Sequence, residues 1–92
     1  MQKSRVRVFY SGRVQGVGFR YQAKALVRGF DVSGTVRNLL DGRVELVADG
    51  ARDELEAFLQ AIRESGVGPL IKREEVGWET AEGEFRGFEI VR

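Results

Sequence analysis

The chain contains neither cysteine nor histidine. The first absence rules out a disulfide framework, so 92 residues must be held together by packing alone. The two absences together remove thiol catalysis, imidazole catalysis and the usual zinc sites. Chemistry is left to arginine, lysine, carboxylates, amides, hydroxyls and the backbone. There is one proline, Pro69, and one asparagine, Asn38. No run of 18 apolar residues occurs, as a membrane-spanning helix would need. The opening residues MQKSRVRVFY have no apolar signal-peptide core. An excess of one charge is also missing, since 15 basic residues face 14 acidic ones for a net charge of +1. A dedicated nucleic-acid or membrane-surface binder would carry a clear basic excess. No RNP1-like pattern is present either.

What remains is a soluble globular mixture, 42% hydrophobic and 32% charged. No linker, repeat or low-complexity segment divides it, so residues 1–92 are expected to form a single domain. Arg5 to Ser11 alternates, with Val6, Val8 and Tyr10 on one face, which predicts a strand. Gly12 to Gly18 holds three glycines in seven residues and reads as a loop. Phe19, Ala23, Leu26, Val27 and Phe30 then form one helical stripe, with Gly29 as its stop.

Val32 to Leu40 predicts a second strand and Arg43 to Ala48 a third. Asp41-Gly42 between them predicts a two-residue type I′ hairpin. Asp49 is placed to cap the next helix, with Asp53 and Glu54 in its early turns. Leu55, Phe58, Leu59 and Ile62 supply the stripe of that helix, and Gly66 its end. Leu70 to Trp78 reads as a fourth strand and Phe88 to Val91 as a short terminal one. The acidic run from Glu74 to Glu84 reads as a solvated face. Tyr10, Phe19, Tyr21, Phe30, Phe58 and Trp78 read as core. The order predicts an α+β, ferredoxin-like βαββαβ sandwich, an antiparallel sheet with two helices on one face plus a short C-terminal strand. A strand order of 4-1-3-2 brings Arg20 and Asn38 together at one edge of the sheet.

Two segments offer chemistry. The loop from Gly12 to Arg20 runs from a strand into a helix. Its glycines allow backbone N–H groups to converge on one point as an anion nest. The first helical turn adds free N–H donors and a partial positive charge. Arg20 lies in that turn and has the fork to grip the same anion. By spacing alone, the segment reads equally well as a glycine-rich connection followed by a solvated arginine. Asn38 is ambiguous in the same way. Turns favour asparagine, yet its strand parity with Val36 and Leu40 sets an amide on the helix-covered face, with Thr35 and Arg37 pointing outward. A buried amide needs partners.

At these two segments the sequence resembles the acylphosphatase family. The residues are GRVQGVGFR from Gly12 to Arg20, followed by Tyr21, and GTVRNLLDGRVE from Gly34 to Glu45, with Gly50 continuing the spacing. The resemblance covers essentially the whole chain. It implies hydrolysis of carboxyl-phosphate anhydrides to a carboxylate and inorganic phosphate. In that reading Arg20 binds the phosphoryl group, the loop amides of Gln15, Gly16, Val17, Gly18 and Phe19 help to cradle it, and Asn38 orients the attacking water. No cofactor, metal or phosphoenzyme is implied. The expected partner is a small-molecule acyl phosphate, with no nucleic acid or membrane, and the expected state is a cytoplasmic monomer. Thr35 stands where the family usually has an aromatic residue, which predicts altered surface packing with the chemistry intact. Two alternatives accompany this reading: a non-catalytic anion-binding βαββαβ module, and an acylphosphatase-like domain of a larger carbamoyl-transfer protein.

Overall fold

The computed structural model describes residues 3–92. Strand β1 spans Ser4–Gly12, β2 Val32–Asn38, β3 Val44–Gly50, β4 Ile71–Thr80 and β5 Phe88–Ile90. Helix α1 spans Phe19–Leu26 and α2 spans Arg52–Glu64. The strands lie in the order β4-β1-β3-β2-β5, and both helices pack on one face of this sheet. The predicted order 4-1-3-2 is therefore present, with β5 added beside β2. That addition makes the sheet mixed and not purely antiparallel, because β5 runs parallel to β2 while the other pairs are antiparallel.

Alternation decides which residues meet the helices. Val6, Val8 and Tyr10 of β1 lie opposite Ala48, Leu46 and Val44 of β3, and all six are fully buried. Leu55, Phe58, Leu59 and Ile62 of α2 close the core from above, and Phe19 and Ala23 do so from α1. The apolar stripe of the first helix continues past α1. A 3₁₀ turn over Val27–Gly29 follows, and Leu26, Val27 and Phe30 are only partly buried against the core.

The opposite face of the sheet departs from a simple solvated surface. Every residue of β3 is buried, including Glu45 and Asp49. Arg5 on β1 faces Asp49 and binds it through two hydrogen bonds of 2.7 and 2.9 Å. Arg7 and Arg37 reach Glu45 from the strands on either side, at 3.0 and 2.7 Å. The arginine stems cover the strand while their heads neutralise its acids. Asp49 is therefore a β3 residue held by Arg5 and does not cap a helix. Ala51 occupies the N-cap of α2 and makes no side-chain cap bond. Asp53 and Glu54 do fall in its first turn. Thr35 points to this arginine-covered face as expected, half-buried opposite Val47.

Besides Phe30, two aromatics differ from expectation. Tyr21 is exposed, and Trp78 is partly buried beneath the Arg52 guanidinium, 3.8 Å from its ring centroid. The acidic run is partly paired: Glu74 accepts hydrogen bonds from Arg63. β4 extends to Thr80 and is preceded by a 3₁₀ turn over Gly68–Leu70.

Candidate active site

The Gly12–Gly18 loop leaves the end of β1 and enters α1. Its shape is set by apolar anchors and two special glycines. Val14 is buried and Val17 packs against the core. Gly16 and Gly18 adopt φ values of 75° and 84°, a left-handed conformation open to glycine at little cost. Gly18 is the N-cap of α1 and has no side chain with which to satisfy the first N–H groups. The first turn holds no acidic residue. Instead it holds Arg20, which makes no ion pair among the described residues. A helix start with free donors, no capping side chain and an added cation favours an anion.

The second segment lies across from it. β2 ends at Asn38, two residues short of the expected end. Val36 is fully buried, Asn38 is partly buried and Leu40 is fully exposed. Leu40 therefore does not share the buried face that parity assigned it, because the chain has already left the strand. The turn also differs from a type I′ hairpin. The Gly42 N–H donates to the Leu39 carbonyl at 3.2 Å, and the Leu39 N–H donates to the Arg43 carbonyl at 2.8 Å. Gly42 alone has positive φ, at 96°. Type I′ needs positive φ at both central residues, whereas a three-residue loop with a left-handed glycine needs it once. Asp41 takes hydrogen bonds from the Arg43 backbone and guanidinium, which hold its carboxyl below the usual range.

Arg20 and Asn38 line one open cleft of about 640 Å³, together with Arg37, Leu39, Leu40, Asp41, Val91 and Arg92. The expected convergence of Arg20 and Asn38 is thus present. Asn38 Oδ1 is buried and has no hydrogen-bond partner among the described residues. An arginine without an ion pair and an amide with an unused acceptor, lining the same cleft, suit a polar ligand and a hydrogen-bond donor. Residues 15–19 are not part of the cleft lining. They form the approach to Arg20, and the Phe19 ring turns into the core against Tyr10, 4.8 Å between centroids.

One contact was not foreseeable from residue types. The Gln15 side-chain amide donates to the carbonyls of Leu39 and Arg43, at 2.7 and 2.9 Å. It ties the loop before Arg20 to the turn after Asn38. Both acceptors are backbone atoms, so no side-chain pattern marks them. Among the described residues, no group of three His, Cys, Asp or Glu residues is arranged to hold a metal ion. No helix among the described residues is long and apolar enough to cross a membrane.

Comparison with known proteins agrees with this geometry. The family model for acylphosphatase matches residues 6–90. An acylphosphatase of Roseiflexus sp. (strain RS-1) is 43% identical over 91 residues, covering 99% of this chain and 98% of that one. Among solved structures, the acylphosphatase from Bacillus subtilis superimposes with a TM-score of 0.87 at 32% identity, covering 97% of this chain and 99% of that one. The structure of T. kodakarensis HypF superimposes with a TM-score of 0.82 at 29% identity, over 96% of this chain and 12% of that one. By fold, by the two segments that meet at the cleft and by near full-length identity, this chain belongs to the acylphosphatase family.

Proposed function

We propose that Arg20, Asn38 and the loop leading into α1 carry the hydrolysis of acyl phosphates, the activity that family membership assigns to this chain. The observation that supports these roles is that Arg20 and Asn38 line one cleft, and that the buried Oδ1 of Asn38 makes no hydrogen bond among the described residues.

The chemistry suits the available groups. Water attacks phosphorus, the P–O bond to the acyl group breaks, and the products are a carboxylate and inorganic phosphate. A phosphate monoester expels an alkoxide and usually requires a general acid or a metal. An acyl phosphate expels a carboxylate, a far better leaving group. Catalysis then needs the phosphoryl oxygens held and a water placed in line. Arg20 offers a bidentate fork to those oxygens, and the loop amides of residues 15–19 with the start of α1 add N–H donors. Asn38 Oδ1 accepts a hydrogen bond from the attacking water and orients its lone pair toward phosphorus. A neutral amide is a poor base, so the water proton passes to a phosphoryl oxygen of the substrate. Electrostatic stabilisation by Arg20 accounts for the charge that shifts in the transition state.

The same reading takes residues 1–92 as one domain acting as a cytoplasmic monomer on a small diffusible substrate. In support of the monomer, large exposed apolar residues are few among the described residues: Tyr21 on α1, Leu40 in the β2–β3 turn and Val76 on β4. Sedimentation and cell fractionation test state and location. Neither the non-catalytic module nor the carbamoyl-transfer domain is favoured.

The deciding experiment is hydrolysis of benzoyl phosphate with chelator present, for wild type and Arg20→Ala side by side. Turnover in the wild type and a loss of at least about a hundred-fold in the variant are expected. Turnover that survives in Arg20→Ala would place the phosphoryl site elsewhere.

A further inference from the structure

The cleft is larger than a phosphoryl group requires, and its lining is part polar and part apolar. A volume of about 640 Å³ matches a pocket for a whole small molecule. Arg20 and Asn38 occupy one part. Leu39, Leu40 and Val91 supply apolar wall. Leu40 is fully exposed, one of only three large hydrophobics on the described surface that are exposed, and the only one of them that lines this cleft. Of the charged side chains nearest it in sequence, the two that line the cleft are already engaged. Arg37 donates to Glu45 at 2.7 Å, and Asp41 accepts from Arg43 at 2.8 Å.

We propose that this apolar wall receives the acyl group, so that the enzyme favours acyl phosphates with an apolar acyl chain or ring, with Leu40 as the specificity-determining residue. The inference rests on the assignment of the phosphoryl site to Arg20 and Asn38. With the phosphoryl group held at Arg20 and Asn38, the rest of a substrate in the cleft meets lining drawn from the β2–β3 turn and Val91. A ring or longer chain covers more of the apolar wall than a two-carbon acyl group and removes more apolar surface of both partners from water. The wall contributes binding energy in proportion to the apolar area covered. It gives no hydrogen-bond partner to a second carboxylate on the acyl group; for a dicarboxylic acyl phosphate that role would fall to Arg92 or to Arg37, whose Nε is already bound to Glu45, and both line the cleft.

The test compares kcat/KM for acetyl, benzoyl and succinyl phosphate in wild type, Leu40→Ala and Leu40→Ser. Because Leu40 lies outside the core, melting temperature serves as a check that the variants fold as the wild type does. The expected result is a benzoyl-to-acetyl ratio that falls in the order wild type, Leu40→Ala, Leu40→Ser, by about three- to ten-fold at the last, in keeping with an apolar contact in an open site. Comparing that ratio between variants cancels the different intrinsic reactivity of the two substrates. A ratio that stays constant while all variants turn over acetyl phosphate overturns the inference and leaves the phosphoryl-site assignment intact. A wild-type kcat/KM for succinyl phosphate above that for benzoyl phosphate, each divided by its rate of spontaneous hydrolysis, overturns it as well, in favour of recognition by Arg37 or Arg92. Absence of turnover on all three substrates overturns the assignment of activity itself.

Discussion

The Gln15 side-chain amide and the Leu39 carbonyl, 24 positions apart, are joined by a hydrogen bond of 2.7 Å. A second bond from the same nitrogen reaches the Arg43 carbonyl at 2.9 Å. One side chain therefore fixes the distance between the segment that delivers Arg20 and the segment that delivers Asn38. Catalysis by positioning depends on such a distance being held within a fraction of an ångström.

Gln15→Ala removes the clamp but leaves Arg20 and Asn38 in place. The two carbonyls can turn to water, so the stability loss is modest, about 1 kcal/mol. Activity is expected to fall about ten-fold or more, with the loss mainly in kcat, because phosphate can still bind to Arg20 while the water site drifts. Steady-state kinetics beside phosphate inhibition constants separate the two effects. A purely structural role would lower the melting temperature and leave kcat unchanged.

Asn38→Ala tests the water-orienting role directly. Phosphate affinity should be largely kept, since Arg20 and the loop amides hold the phosphoryl oxygens. Turnover should drop by about a hundred-fold, the scale for removal of one well-placed polar group at a reacting centre. Asn38→Asp is a useful companion, because a carboxylate can also orient water but repels the phosphoryl group and should raise the phosphate inhibition constant. Equal loss of phosphate binding and turnover in Asn38→Ala would remove the water-orienting role.

The Arg5–Asp49 pair is a stability feature remote from the cleft. Asp49 is nearly inaccessible and Arg5 mostly buried, with side-chain exposures of 3% and 13%. The hydrogen bond to Asp49 holds the Arg5 guanidinium above its usual range. Asp49→Ala leaves a cation with no carboxylate beneath it, and about 2–3 kcal/mol of stability should be lost, somewhat under the range for a fully buried pair. Removing Arg5 as well should cost less than the sum of the two single changes, because the two residues share one interaction. Denaturant melts of the two single variants and the double variant provide the cycle. Acyl phosphate turnover at a temperature where all remain folded should not change.

How far these features were legible in the sequence depends on the kind of partner involved. The alternation of Val6, Val8 and Tyr10 faithfully marked the core face, because strand period and burial coincide there. Arg20 and Asn38 were legible as a pair, since topology alone carries the end of β2 to the loop after β1. Asp49 was misread as a cap because its partner is set by cross-strand register, Arg5 opposite Asp49, and register is a tertiary fact. Leu40 was misread because parity was carried past the last residue of the strand. Asp41-Gly42 marked the turn correctly but not its type, as only the glycine takes positive φ. The mixed sheet was not foreseen because β5 is only three residues long and its direction is set by the crossing segment before it. Gln15 gave no signal beyond its place in the loop.

Tyr10 offers a prediction with a defined sign. Its hydroxyl is buried in the core with no hydrogen-bond partner among the described residues. Burial pushes its ionisation well above the ordinary value of 10.0, with the nearby Glu74 adding to the rise and Arg63 opposing it. In the unfolded chain the phenol ionises near pH 10, while the folded chain keeps the proton to higher pH. Between those two values the unfolded state holds fewer protons than the folded state, so stability falls as pH rises. The contribution of the neutral phenol is complete below pH about 10 and is lost progressively above it. Tyr10→Phe cannot ionise and keeps the ring against Phe19. At neutral pH it also removes an unsatisfied hydroxyl, so its stability should match or exceed that of the wild type within about 1 kcal/mol. From pH about 10 upward the wild type should lose melting temperature more steeply than the variant, and the two curves should separate. Parallel curves across that range would mean that the Tyr10 hydroxyl is hydrated in the native protein and titrates as it does in the unfolded chain.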